Sequence, residues 1–146
     1  MTKRYEQSIL INKEPAAVFD FLAVPSNHAT FVPGLVEFDT EPPGLEWAVG
    51  VQAEGKHKVV GRTVTATGVM VEKVPGERIV WDNKLMGINS RGTWSVAAAE
   101  GGSRVTLVAE MEQNMLTRLL SNLGFADVDK AQAKVLNALK QKLESV

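Results

Sequence analysis

The stretch Ala126–Val146, ADVDKAQAKVLNALKQKLESV, decides how the rest of the chain is read, and it contains neither Gly nor Pro. At about 100° per residue, Val128, Ala131, Val135, Leu139 and Leu143 fall on one stripe, with Lys130, Lys134, Asn137, Gln141 and Glu144 opposite. This periodicity predicts a long amphipathic helix, and Asp127 is placed to cap a new helical start. A sheet followed by one long helix buries the apolar stripe by curling around the helix. That packing leaves room for a cavity, a place to hold a small apolar molecule.

The preceding residues supply the sheet. Tyr5, Gln7, Ile9 and Ile11 alternate with Glu6, Ser8 and Leu10, the period of a strand with one buried face. Asn12 is a cap-type residue, and Pro15 suits the first turn of a short helix carrying Val18, Phe21 and Leu22 on its apolar side. Pro25 ends that helix, and Ser26–Phe31 can form a second short one. Turn residues then divide the chain into strand candidates at Val36–Thr40, Val49–Val60, Thr63–Val74, Arg78–Lys84, Ile88–Ala99 and Arg104–Gln113. Their short connections predict an antiparallel meander. Leu116, Leu119, Leu120 and Leu123 form a separate helical stripe whose direction differs from that of the last helix. Either the helix kinks near Gly124, or its two halves face different surfaces.

Composition narrows the function classes. At 146 residues, 45% apolar and 23% charged, residues 1–146 are expected to form one globular domain. A net charge of −1 with interspersed signs gives no electrostatic footprint for nucleic acid. The absence of cysteine excludes a disulfide framework, a thiolate metal site and a cysteine nucleophile. No apolar run approaches the roughly 18 residues needed to span a bilayer, and the opening residues Met1–Glu6 are polar. The expectation is a cytoplasmic protein with no integral membrane segment.

The order strand, two short helices, meander and long terminal helix resembles the helix-grip fold of the START-like (SRPBCC) superfamily, the polyketide cyclase/dehydrase and lipid-transport group. Ser8–Ile11 leading into Glu14–Leu22 is similar to that group's opening strand and helix, and Phe31–Leu35 to the turn after its second helix. Val49–Val51, Val74–Ile79 and Gly102–Leu107 match its hairpin phrases, and Leu136–Lys140 with Leu143 and Glu144 resembles its chain ending. The resemblance implies an α+β fold, with a curved antiparallel sheet of about seven strands around the C-terminal helix. It implies function less narrowly, because the superfamily holds lipid carriers, hormone- and allergen-type binders, aromatase/cyclases and co-chaperone-like domains on one scaffold.

Strand alternation nominates the pocket residues. Charges at Glu54, Lys56 and Lys58 send Val51, Ala53, Gly55, His57 and Val59 inward. His57 then faces the pocket with a pKa lowered by burial, or else it sits in solvent at a hairpin end. Ile79, Trp81, Asn83 and Leu85 share a face, as do Ile88, Ser90, Gly92, Trp94 and Val96. Trp81 and Trp94 serve as pocket wall or as plain core, while Asn83 and Ser90 orient a ligand or meet water at strand ends. Met111 and Gln113 continue the inward series of Val105, Leu107 and Ala109, and Gln132 interrupts the helix stripe. A buried Gln needs hydrogen-bond partners, so each meets ligand or water in a cavity, or Gln113 simply ends its strand in solvent.

His28, in the turn-like context Ser26–Thr30, is expected at the surface, and no histidine spacing suggests a metal site. No Gly-x-Ser-x-Gly elbow, phosphate loop or nominated acid–base pair appears, so no catalytic residue, metal or cofactor is assigned. The leading expectation is a carrier or binder of a small hydrophobic molecule, a lipid or polyketide-like aromatic. The alternatives are a polyketide cyclase/dehydratase-like enzyme and a module docking through Leu116–Leu123 on a protein or membrane surface. A homodimer is left open.

Overall fold

The computed structural model describes residues 2–59, 61–85, 87–112 and 127–145. Strand β1 (Thr2–Ile11) leads into helices α1 (Pro15–Leu22) and α2 (Pro25–His28). The meander follows as β2 (Leu35–Thr40), β3 (Gln52–Val59), β4 (Arg62–Val74), β5 (Arg78–Leu85), β6 (Ile88–Ala99) and β7 (Gly102–Glu112), and helix α3 (Val128–Glu144) comes last. The seven strands form one antiparallel sheet in the order β1-β7-β6-β5-β4-β3-β2, so the first strand closes onto the last. This is the helix-grip arrangement, with α3 lying along β1.

Alternation places the faces as the side-chain chemistry demands. On β5 and β6, Ile79 and Trp94 are buried, while Asp82 and Arg91 pair across the outer face at 2.6 Å. One cluster then joins the two layers, with Ile11, Val18, Leu22, Met70 and Val105 packed together with Leu136, Leu139 and Leu143 of α3. Residues 41–51 depart from the expected early start of β3. Gly50 takes φ 86°, a left-handed value that suits glycine, and its N–H donates to the Met70 carbonyl at 2.9 Å, which holds the segment as a loop.

Two expectations about helix ends and phase are corrected. Asn12 does not cap α1: Glu14 occupies the N-cap position, and the Asn12 backbone N–H donates to Glu144 Oε2 at 2.8 Å. The buried stripe of α3 runs Gln132, Leu136, Leu139 and Leu143, with Ala131 exposed and Val128 and Val135 half-buried. The bulk of Leu136 outweighs the methyl of Ala131 in setting the rotation. Asp127 does cap α3, accepting from the Lys130 N–H at 3.1 Å.

His28 overturns its surface expectation outright, being 5% exposed. Helix α1 ends with carbonyls that lack intrahelical donors. Asn27 Nδ2 donates to the Phe21 carbonyl at 3.0 Å, and His28 Nε2 lies 2.7 Å from the Leu22 carbonyl. The polar turn therefore folds back to cap the helix before it. Burial pushes the His28 pKa from 6.5 down to about 4, against a smaller opposing effect of the Leu22 hydrogen bond.

Two predictions follow from this packing. Leu139 is 0% exposed, so Leu139→Ala should cost roughly 2–5 kcal/mol, measurable by urea denaturation. Unfolded His28 takes a proton near pH 6.5, whereas the folded site refuses one until about pH 4. Stability is therefore full above pH 6.5 and is lost as pH falls toward 4, by roughly 3 kcal/mol for this group. Urea midpoints across that window should fall for the native chain, and fall less for a His28→Phe chain.

Candidate functional site

A cavity of about 190 Å³ lies between the inner face of the sheet, the α2 region and α3. Its space comes from what the sheet leaves out. Inward positions on neighbouring strands are Gly55, Ala66, Gly68 and Gly92, all buried, and Gly55 and Ala66 line the cavity directly. At Gly92 a methyl group would collide with the Trp81 indole, which lies across it from the paired strand. Glycine thus lets the indole lie close to the sheet.

Rings make up much of the wall. His28 sits 5.5–6.2 Å, centroid to centroid, from Phe31, Phe38, Trp47 and Trp94. Trp47 continues the cluster to Trp81 at 6.1 Å. Val32, Leu35, Leu107 and Val135 complete the apolar lining, with Val135 reaching in from α3. Among the described residues, no Asp, Glu, Lys or Arg lines this space. The polar side chains on the wall are His28, His57 and Asn83, beside the indoles of Trp47, Trp81 and Trp94. His57 is half-buried, and burial lowers its pKa. At neutral pH both imidazoles are uncharged.

Four of the expected site residues, His57, Trp81, Asn83 and Trp94, meet at this cavity. Ser90 instead borders a second groove with Asp82, Lys84, Asn89 and Glu110, which Asn83 also borders. Met111 is half-buried in the β7 ladder opposite Lys3 and Ser90. Gln132 is 4% exposed, and its Nε2 donates to the Tyr5 and Leu107 carbonyls at 3.3 and 3.4 Å. Its Oε1 has no partner among the described residues. Gln113, the Leu116–Leu123 stripe and the junction at Gly124 lie outside the described residues.

Sequence reasoning missed His28 and Trp47. Trp47 is 1% exposed although it belongs to a loop. Thr40 Oγ1 accepts from the Leu45 N–H at 2.9 Å, and Lys73 Nζ donates to the Trp47 carbonyl at 3.1 Å. These bonds fold the loop back so that the indole enters the core. The available signal was the size of the side chain, since a loop Trp with a large apolar surface rarely stays in water. Its N–H has no hydrogen-bond partner among the described residues. No cluster of three or more metal-ligating side chains occurs among the described residues, and no helix there is long and apolar enough to cross a membrane.

Comparison with known proteins agrees with this architecture. The crystal structure of the Zhui aromatase/cyclase from Streptomyces sp. R1128 superposes with a TM-score of 0.79 at 15% identity, covering 99% of this chain and 94% of that one. A protein from Rhodobacter sphaeroides gives 0.76 at 14% identity, covering all of both chains. The ginseng major latex-like protein 151 from Panax ginseng gives 0.74 at 12% identity, covering 99% and 96%. At such identities the likeness is one of fold. No curated protein matches the chain. The family model described as polyketide cyclase / dehydrase and lipid transport matches residues 2–144, and the chain belongs to that family.

Proposed function

We propose that this protein binds a small, uncharged, apolar molecule inside the helix-grip cavity, as a binder or carrier. The observation that carries the reading is the wall itself: aromatic and aliphatic side chains around about 190 Å³, interrupted by a few neutral polar groups. Ligand sites are commonly built in this way. The volume narrows the ligand class. An apolar cavity of about 150 Å³ accommodates benzene, so this one suits a single substituted ring better than a long acyl chain. Membership of a family whose description includes lipid transport supports the binding of hydrophobic ligands in general.

A second reading has one observation in its favour. His57 stands on the cavity wall as a neutral imidazole, able to move a proton near physiological pH. A cyclase or dehydratase acting on a polyketide-like substrate would use such a group, and one structural neighbour is an aromatase/cyclase.

Toluene titrated into the protein tests binding directly. Trp47, Trp81 and Trp94 all border the cavity, so their fluorescence should change on saturation. Ligand at 100 times its dissociation constant should add about 2.7 kcal/mol of stability; an unmoved spectrum and melting temperature would sink the binder reading. His57→Gln separates the two classes: a binder should lose affinity only a few-fold, whereas a proton-transfer enzyme should lose about 10²–10⁴ in turnover.

A further inference from the structure

The geometry points to His28 as the recognition point of the cavity, an acceptor that selects uncharged single-ring aromatic ligands bearing a hydroxyl. This rests on the binding reading above and specifies its chemistry. A carbonyl oxygen only accepts, so at 2.7 Å from the Leu22 carbonyl the His28 Nε2 must carry the ring hydrogen. Nδ1 is then left as a lone-pair acceptor. Among the described residues nothing donates to it, although the side chain is 5% exposed and lines the cavity. A ligand O–H donated to that lone pair adds one net hydrogen bond to the apolar contacts of the wall.

Two further observations agree. The ring cannot turn away, because the Leu22 bond and four surrounding aromatic rings fix it. Such preorganisation favours one ligand orientation. A hydroxyl has a hydrogen to give the His28 lone pair, and an ether has none. The described wall also contains no cationic or anionic side chain. A carboxylate or ammonium ligand would therefore surrender its hydration with no charge to meet it. At neutral pH the imidazole is uncharged and does not change that balance.

The test uses the native chain at pH 7.5 with toluene, p-cresol, 4-methylanisole and p-toluate, read by calorimetry and thermal shift. p-Cresol should bind about two- to tenfold tighter than toluene, the worth of one net hydrogen bond. The anisole should show no such gain, and p-toluate should not bind. In ¹⁵N spectra the His28 Nδ1 resonance should move with p-cresol and stay in place with toluene. His28→Phe should equalise the two, and the spectra of the native chain answer the question if that variant does not fold. Equal binding of toluene and p-cresol, or p-toluate binding as tightly as p-cresol, overturns the inference while leaving the cavity reading intact. Binding of no probe at all overturns both.

Discussion

The junction between helix α3 and strand β1 holds the two ends of the fold together. β1 is an edge strand, and an uncovered edge offers unpaired backbone groups to solvent or to other chains. Here α3 runs beside it and supplies partners along its length. Gln7 Nε2 donates to the Asp129 carbonyl at 2.6 Å, Lys140 Nζ donates to the Leu10 carbonyl at 2.8 Å, and Glu144 accepts from the Asn12 backbone N–H. Gln132 adds a buried link to both β1 and β7. The leucines of α3 contribute most of the apolar burial, which is non-directional. The polar contacts supply what burial lacks, a fixed rotation and register for the helix.

That fixed rotation is what makes a defined cavity between the layers. With Leu136, Leu139 and Leu143 committed to the core, Val135 is the α3 side chain that reaches the cavity wall. The opposite wall depends on the helix cap formed by His28. One imidazole nitrogen completes the end of α1 while the other faces no donor of the described protein. A helix cap and a piece of the cavity wall thus share one ring. The desolvation that keeps this ring neutral is caused by the same aromatic neighbours that shape the wall.

Much of this was legible in the sequence, and the reasons differ by element. Strands β5 and β6 could be read because Asp82, Lys84, Asn89 and Arg91 force the alternate positions inward, which correctly oriented Trp81 and Trp94. His57 followed from the charges beside it in the same way. The last helix was recognised from its period, but its rotation was slightly misjudged because counting treats Ala131 and Leu136 alike. Gln132 could be marked as anomalous in an apolar stripe, though its carbonyl partners on two strands are over twenty residues and over a hundred residues away in the chain. His28 and Trp47 escaped for a shared reason. Both lie in segments without a repeating period, and their burial is decided by where a short turn or loop folds back, through bonds to Leu22, Leu45 and Lys73.

The bare inward positions of the sheet also leave the interior adjustable in graded steps. A β-carbon at Gly68 would meet its nearest neighbours at 3.5 Å, an ordinary contact, so bulk can be added there with the surroundings at rest. At Gly55 it would come within 3.2 Å of the Phe38 ring, which would have to yield by a few tenths of an ångström. At Gly92 the indole above leaves no place for it. One scaffold therefore offers a permissive, a reluctant and a forbidden site on the same floor. Bulk can be added at the first two while strand pairing and the grip on the helix stay as they are, so the shape of the interior is free to diverge much faster than the fold that encloses it.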